Sequence, residues 1–230
     1  MSSFSKFVTA GTMFLAVSAA PAFAGFLAAG GINQGSPALP PSNGGYVSPA
    51  DVHACFAIVG FGNPLCLVQG DHSFFLNPNY QQHQGTNDGL DTFNSTFTGI
   101  ATGGPLGNST QPVSWQGPVT IELFNRPTNN LTGTFDTEML QLDLSGGGVM
   151  IRESPTLAST GSTRITDMGG GVFHIDSFFD IFTELSLDGG QTWTPSIGST
   201  HVDLVGAPEP GTMLLLGAGC LAVMMRRKRR

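Results

Sequence analysis

Residues 51–206 predict an all-β fold, a single antiparallel and sandwich-like domain. Three observations predict it. Apolar and polar residues alternate with period two in Val119-Thr120-Ile121-Glu122-Leu123 and in Leu140-Gln141-Leu142-Asp143-Leu144, the pattern of a strand with one buried face. No stretch sustains an i, i+3, i+4 pattern through three helical turns. Breakers recur between the runs at Gly103-Gly104-Pro105, Gly146-Gly147-Gly148 and Gly169-Gly170-Gly171, a spacing that suits short antiparallel strands joined by turns.

The segments read in order as follows. Residues 1–24 have the layout of a secretory signal peptide: Lys6, an apolar stretch from Phe7 to Ala20 broken by Pro21, and Ala22-Phe23-Ala24 as the cleavage site, which implies Sec-type export and removal by signal peptidase. Residues 25–50 are rich in Gly, Pro, Ser and Asn with little period and predict an irregular leader. Cys55 and Cys66 follow in a segment that reads strand, turn, strand. In an exported chain they predict a disulfide, and closing a loop of about a dozen residues contributes roughly 3 kcal/mol. The competing assignment is a metal site formed by His53, Cys55, Cys66 and His72, which the irregular spacing and the lack of a C-x-x-C disfavour.

The longest alternation runs from Val172 to Leu187. Phe173, Ile175, Phe179, Ile181, Leu185 and Leu187 share the core face; His174, Asp176, Asp180 and Glu184 share the other with Phe178 and Phe182. Along one strand Asp176 and Asp180 stand roughly 13 Å apart, beyond the ~5 to 9.5 Å separation of paired glycosidase carboxyls. The mixed face therefore reads as solvated. It leads into Ser186-Leu187-Asp188-Gly189-Gly190-Gln191-Thr192-Trp193, which fits S-x-D-x-G-x-T-W and resembles the Asp-box hairpin. That resemblance implies a structural turn: Asp188 accepts local hydrogen bonds, Gly190 permits positive φ, and Ser186, Thr192 and Trp193 complete the motif. A calcium ligand is the other role open to Asp188. A sialidase propeller is disfavoured, because it needs several boxes and this sequence has one.

The end of the chain is the most specific segment. Pro208, Glu209 and Pro210 precede an apolar run at 211–225 and the cations Arg226, Arg227, Lys228, Arg229 and Arg230. Fifteen helical residues cover roughly 22 Å, less than the ~30 Å hydrocarbon core. The cations hold their end in the cytoplasm. This arrangement resembles the PEP-CTERM sorting signal of Gram-negative bacteria, over residues 207–230. The resemblance implies cutting by an exosortase-type membrane enzyme, export across the inner membrane, transient anchoring, and delivery to the cell surface or medium. The stretch from Gly117 to Pro195 is also similar to a recurrent extracellular region of PEP-CTERM proteins, which implies destination and fold but no activity.

Composition narrows the functional classes. Six of the nine Lys and Arg lie at Lys6 and in the basic tail, so residues 25–207 carry Arg126, Arg152 and Arg164 against fifteen of the sixteen acids, a net charge of −12. Such a surface repels polyanions, which excludes nucleic acid as a partner. There is no G-x-S-x-G, H-E-x-x-H, P-loop or G-x-G-x-x-G after a strand, and no cofactor is implied. Asp71, His72 and Ser73 are chain neighbours whose side chains alternate in direction, so they do not assemble a relay. Two functions remain. The first is a non-enzymatic surface or matrix protein acting with exopolysaccharide in biofilm. The second is a carbohydrate-binding module or glycan hydrolase, with Trp115 and Trp193 as stacking platforms.

Overall fold

The computed structural model describes residues 28–206. The signal-peptide and sorting-helix expectations lie outside these residues. The strands are β1 (Ala28–Ala29), β2 (Gly31–Gln34), β3 (Gly44–Val47), β4 (Val52–Phe56), β5 (Leu65–Gln82), β6 (Gly89–Gly103) and β7 (Thr110–Leu123). They continue as β8 (Gly133–Gly146), β9 (Val149–Glu153), β10 (Ser159–Gly169), β11 (Val172–Ile181), β12 (Thr183–Ser186), β13 (Thr194–Pro195) and β14 (Thr200–Gly206). A 3-10 turn at Gly104–Leu106 joins β6 to β7.

The all-β, antiparallel class expected from the sequence is observed; the two facing sheets of a sandwich are not. Strands β10, β11, β14, β3, β5, β6, β7 and β8 succeed one another, and β8 pairs back onto β10 from Ser159↔Met139 to Ile165↔Gly133, which closes an eight-stranded barrel. Alternation cannot separate the two architectures, since each buries every second residue. Strand length and irregularity decide: β5 runs for 18 residues and shifts register against β6 at three places, and such bulges increase the bend and twist that closure requires.

The inner face carries Phe93 and Phe97 from β6, Val119 and Ile121 from β7, Ile175 and Phe179 from β11, and Val202 and Leu204 from β14, all buried. Polar residues such as Asn94, Gln116 and Glu138 occupy the outer positions. Apolar inside and polar outside is the reverse of a transmembrane barrel, so this wall faces water.

Two expectations about boundaries need correction. Residues 25–50 are not only an irregular leader, because β3 forms part of the barrel wall between β14 and β5, and Leu39 and Tyr46 are buried. A strand of four residues is too short to display a period. Its glycines also disguise it: a Cβ on Gly45 would sit 2.8 Å from Asp71 Oδ1, so glycine is there for close packing rather than for a turn. The run from Val172 to Leu187 is likewise two strands. After Phe182 the chain leaves β14 and pairs with β9 as β12, and Leu187, placed on the core face by parity, is exposed at the start of the hairpin.

The two ends of the barrel differ. At the end where β6 begins, the segment 37–41 crosses the opening and is pinned by a buried ion pair. Arg126, 0 % exposed, donates from Nη1 to Asp91 Oδ2 at 2.9 Å and from Nη2 to the Pro37 carbonyl at 2.6 Å. The Leu39 N–H donates to the same Asp91 oxygen at 2.9 Å, and the guanidinium lies 4.6 Å over the Tyr80 ring. Burial pushes the Asp91 carboxyl up to about 6 against the opposing pull of Arg126 and Leu39. At the other end β9, β12 and β13 extend the wall from β8, and the bridge Phe56↔Ser196 returns it to β4. That end stays open.

Replacing Arg126 with Met strands the Asp91 carboxylate in the core, and breaking a buried pair in this way costs about 3–5 kcal/mol. Urea unfolding should record that loss, and adding Asp91→Asn should recover part of it by removing the stranded charge.

Candidate functional site

Three groups of side chains have the chemistry of a site. The first is the hairpin from Ser186 to Trp193. Asp188 Oδ1 accepts from the backbone N–H of Gln191 at 3.0 Å and of Thr192 at 2.9 Å, and from Ser186 Oγ at 2.7 Å; Oδ2 accepts from Thr192 Oγ1 at 2.6 Å. Ser186 Oγ in turn accepts from the Gly190 N–H at 2.8 Å, and Gly190 sits at φ +91, where a side chain is strained. These bonds, led by those from Thr192, lower the Asp188 carboxyl to about 2. Its oxygens are thus spent inside the turn. The Trp193 indole N–H donates to the Gly190 carbonyl at 3.1 Å, and the Arg152 guanidinium covers its ring at 4.0 Å while bonding to Glu184 at 2.6 and 2.9 Å.

The second group is the outer face of β10, β11 and β14, the mixed face read from the sequence. Cross-strand register joins positions that parity alone could not. Asp180 stands opposite His201, Phe178 opposite Asp203, and Arg164 opposite Asp176. His201 lies between two carboxylates, with Nδ1 2.8 Å from Asp180 and Nε2 3.3 Å from Asp203, and its pKa is raised, chiefly by the hydrogen bond to Asp180. Arg164 Nη2 donates to Asp176 Oδ2 at 2.7 Å. Phe178 is 37 % exposed, with its ring centroid 5.4 Å from that of His201. A shallow open depression of about 730 Å³ adjoins the strip. His201 and Asp203 are not among the residues singled out from the sequence; the alternation His201-Val202-Asp203-Leu204 marks a strand, and only its register against β11 brings them to this face.

The third group holds the residues of the competing metal assignment. Cys55 and Cys66, opposite one another on β4 and β5, form a disulfide. His53 and His72 lie instead in the core, with their Nε2 atoms 3.3 Å apart, His72 Nδ1 3.4 Å from Ser95 Oγ, and Phe97 against both rings. Among the described residues no three His, Cys, Asp or Glu are arranged to hold a metal ion. Asp71, His72 and Ser73 form no relay, since the His72 nitrogens face Ser95 and His53. The buried pair Arg126–Asp91 has no signature in the sequence, because its members are 35 positions apart with no shared motif, and His53 and His72 are grouped there only as metal ligands together with the two cysteines.

The two tryptophans are not free platforms. Trp115 is buried and stacked on Phe97 with centroids 5.4 Å apart, and Trp193 is half-buried beneath Arg152. The described residues therefore define a closed, water-facing antiparallel barrel. Residues 207–230 match the PEP-CTERM protein-sorting motif, which implies export and processing by an exosortase-type enzyme at the membrane. Comparisons with curated proteins and with solved structures return no match.

Asp188→Ala removes four hydrogen bonds from an exposed turn, so the thermal midpoint should drop and protease nicking should begin between residues 186 and 193. The buried imidazoles give a pH signature. Burial lowers His53 to about 4 and His72 well below its usual range, so the unfolded chain takes up these protons first, near pH 6.5. The pair's stabilisation is complete above about pH 6.5 and is lost as the pH falls towards 4. Asp91 at about 6 and Glu153 at about 7 are raised by burial and act with the opposite sign. A His53→Leu/His72→Leu variant isolates the pair: between pH 7 and 5 the parent's urea midpoint should fall relative to the variant's.

Proposed function

We propose that this chain is a non-enzymatic barrel exported across the inner membrane of a Gram-negative bacterium, released by an exosortase, and acting at the cell surface or in the matrix with exopolysaccharide. One observation carries the reading. The sorting motif begins at residue 207, and Gly206 is the last residue of β14, paired with Gly44 of β3 and Ala28 of β1. A cut within the motif leaves every barrel strand intact. The acidic surface suits a hydrated polymer matrix, the hydrogen bonds of the Ser186–Trp193 hairpin support a structural Asp-box, and the signal-peptide layout of residues 1–24 supplies the route.

A second reading, a carbohydrate-binding module, draws on the outer strip. Phe178 beside Arg164, Asp176 and Asp203 offers an apolar ring next to hydrogen-bonding groups, the combination that a sugar ring requires. Phe178 replaces Trp115 and Trp193 as the platform of that reading.

Both are tested on the mature protein. Intact-mass analysis should find a product that begins at Gly25 and lacks Arg226 to Arg230, and deletion of the exosortase should leave the basic tail in place. Recovery of the full C-terminus from exosortase-containing cells would sink the first reading. Glycan retention that is lost in Phe178→Ala at unchanged thermal midpoint would promote the second.

A further inference from the structure

The open end of the barrel holds a cup of about 420 Å³, bounded by the β6–β7 connection, the β8–β9 turn and the first residues of the hairpin. Its walls include Leu65, Leu106, Val113, Val149 and Leu187, with Trp115 below them. None of its lining residues is charged, in a region whose net charge is −12. Gln111 and Ser114, both exposed, supply the polar side chains of one side.

Three observations distinguish this cup from an incidental gap between strands. The opposite end is plugged by residues 37–41 and the Arg126–Asp91 pair, so the barrel has one mouth rather than a channel. The wall is held in place, because the disulfide at Cys66 fastens β5 to β4 between Leu65 and Leu67, which both line the cup. Trp115, 4 % exposed and stacked on Phe97, makes a fixed aromatic floor, and the Gln111 amide and Ser114 hydroxyl above it are donors for a bound acceptor.

From these we infer that the barrel mouth binds one uncharged molecule with an apolar body, an alkyl chain or ring system bearing a neutral hydrogen-bond acceptor. The volume falls within the roughly 300–1,000 Å³ of small-molecule sites, which are mostly apolar, largely preformed and common in the mouths of β-barrels. An ionised head group would lose its hydration without meeting a counter-charge. An anionic one would also be repelled by the acidic surface.

The test uses the mature exported protein and the uncharged fluorophore N-phenyl-1-naphthylamine. Dye fluorescence should rise saturably, with one dye per barrel, while tryptophan emission is quenched. Decanol should displace the dye, and decanoate and decyltrimethylammonium should do so about tenfold less well or worse. Leu187→Asp at the rim, 44 % exposed, should weaken dye binding by about tenfold or more, whereas Met168→Asp, 65 % exposed on β10 at the plugged end, should leave it unchanged. Ser114→Arg, at an exposed lining position, is the second variant should Leu187→Asp lower the thermal midpoint. No saturable binding to the folded parent, equal displacement by a charged decyl compound, or equal weakening by Met168→Asp would each overturn the inference.

Discussion

The pairing of β8 with β10 is the contact on which the rest of the molecule depends. Without it the sheet is an open ribbon with two free edges, and the apolar residues of β6, β7, β11 and β14 have no common interior. The seam is sterically demanding. Gly161 sits between Thr137 of β8 and Phe179 of β11, and a Cβ there would fall 2.0 Å from the Phe178 carbonyl oxygen. A glycine at that position lets β11 approach closely enough for Phe179 to fill the centre. Strand β8 also divides its partners, giving its first half to β10 and its last residues to β9. That fork makes one end of the barrel narrow and the other wide.

The polar groups follow the same asymmetry. The narrow end uses a buried ion pair to hold a crossing segment, while the wide end has no charge in its lining. Buried ion pairs contribute little net stability relative to apolar packing, but their geometry is demanding. Here the guanidinium reads one carboxylate and one carbonyl from segments far apart in the chain, which fixes where residues 37–41 lie. The acids that give the exported region its charge stay mostly on the outer face, where Asp176, Asp180 and Asp203 are held by Arg164 and His201 rather than facing one another unpaired.

How much of this was legible in the sequence depends on the range of each interaction. The strands around Val119, Leu142 and Ile175 declared themselves through alternation, and the hairpin at Asp188 through a local string whose partners are two to four residues apart. The Cys55–Cys66 pair was legible because both cysteines lie in one strand-turn-strand unit. Barrel closure was not, since the pairing of Met139 with Ser159 leaves no trace in either strand's pattern. The part of Gly44–Val47 in the wall was hidden by brevity and by glycines that serve packing. The site side chains divide similarly: the polar face of β11 was visible, but its completion by His201 and Asp203 required the register between β11 and β14.

The direction of β14 has a mechanical consequence. From Thr200 to Gly206 it runs away from the wide end, and at its close Leu204 and Gly44 pack around Pro41 of the crossing segment. The chain therefore leaves the barrel beside its plug. Any tether acting through residues after Gly206 pulls on the end that is braced by Arg126 and Asp91, and the opposite rim carries no load. A molecule held by its tail would stand with its mouth outward, free of the surface that holds it.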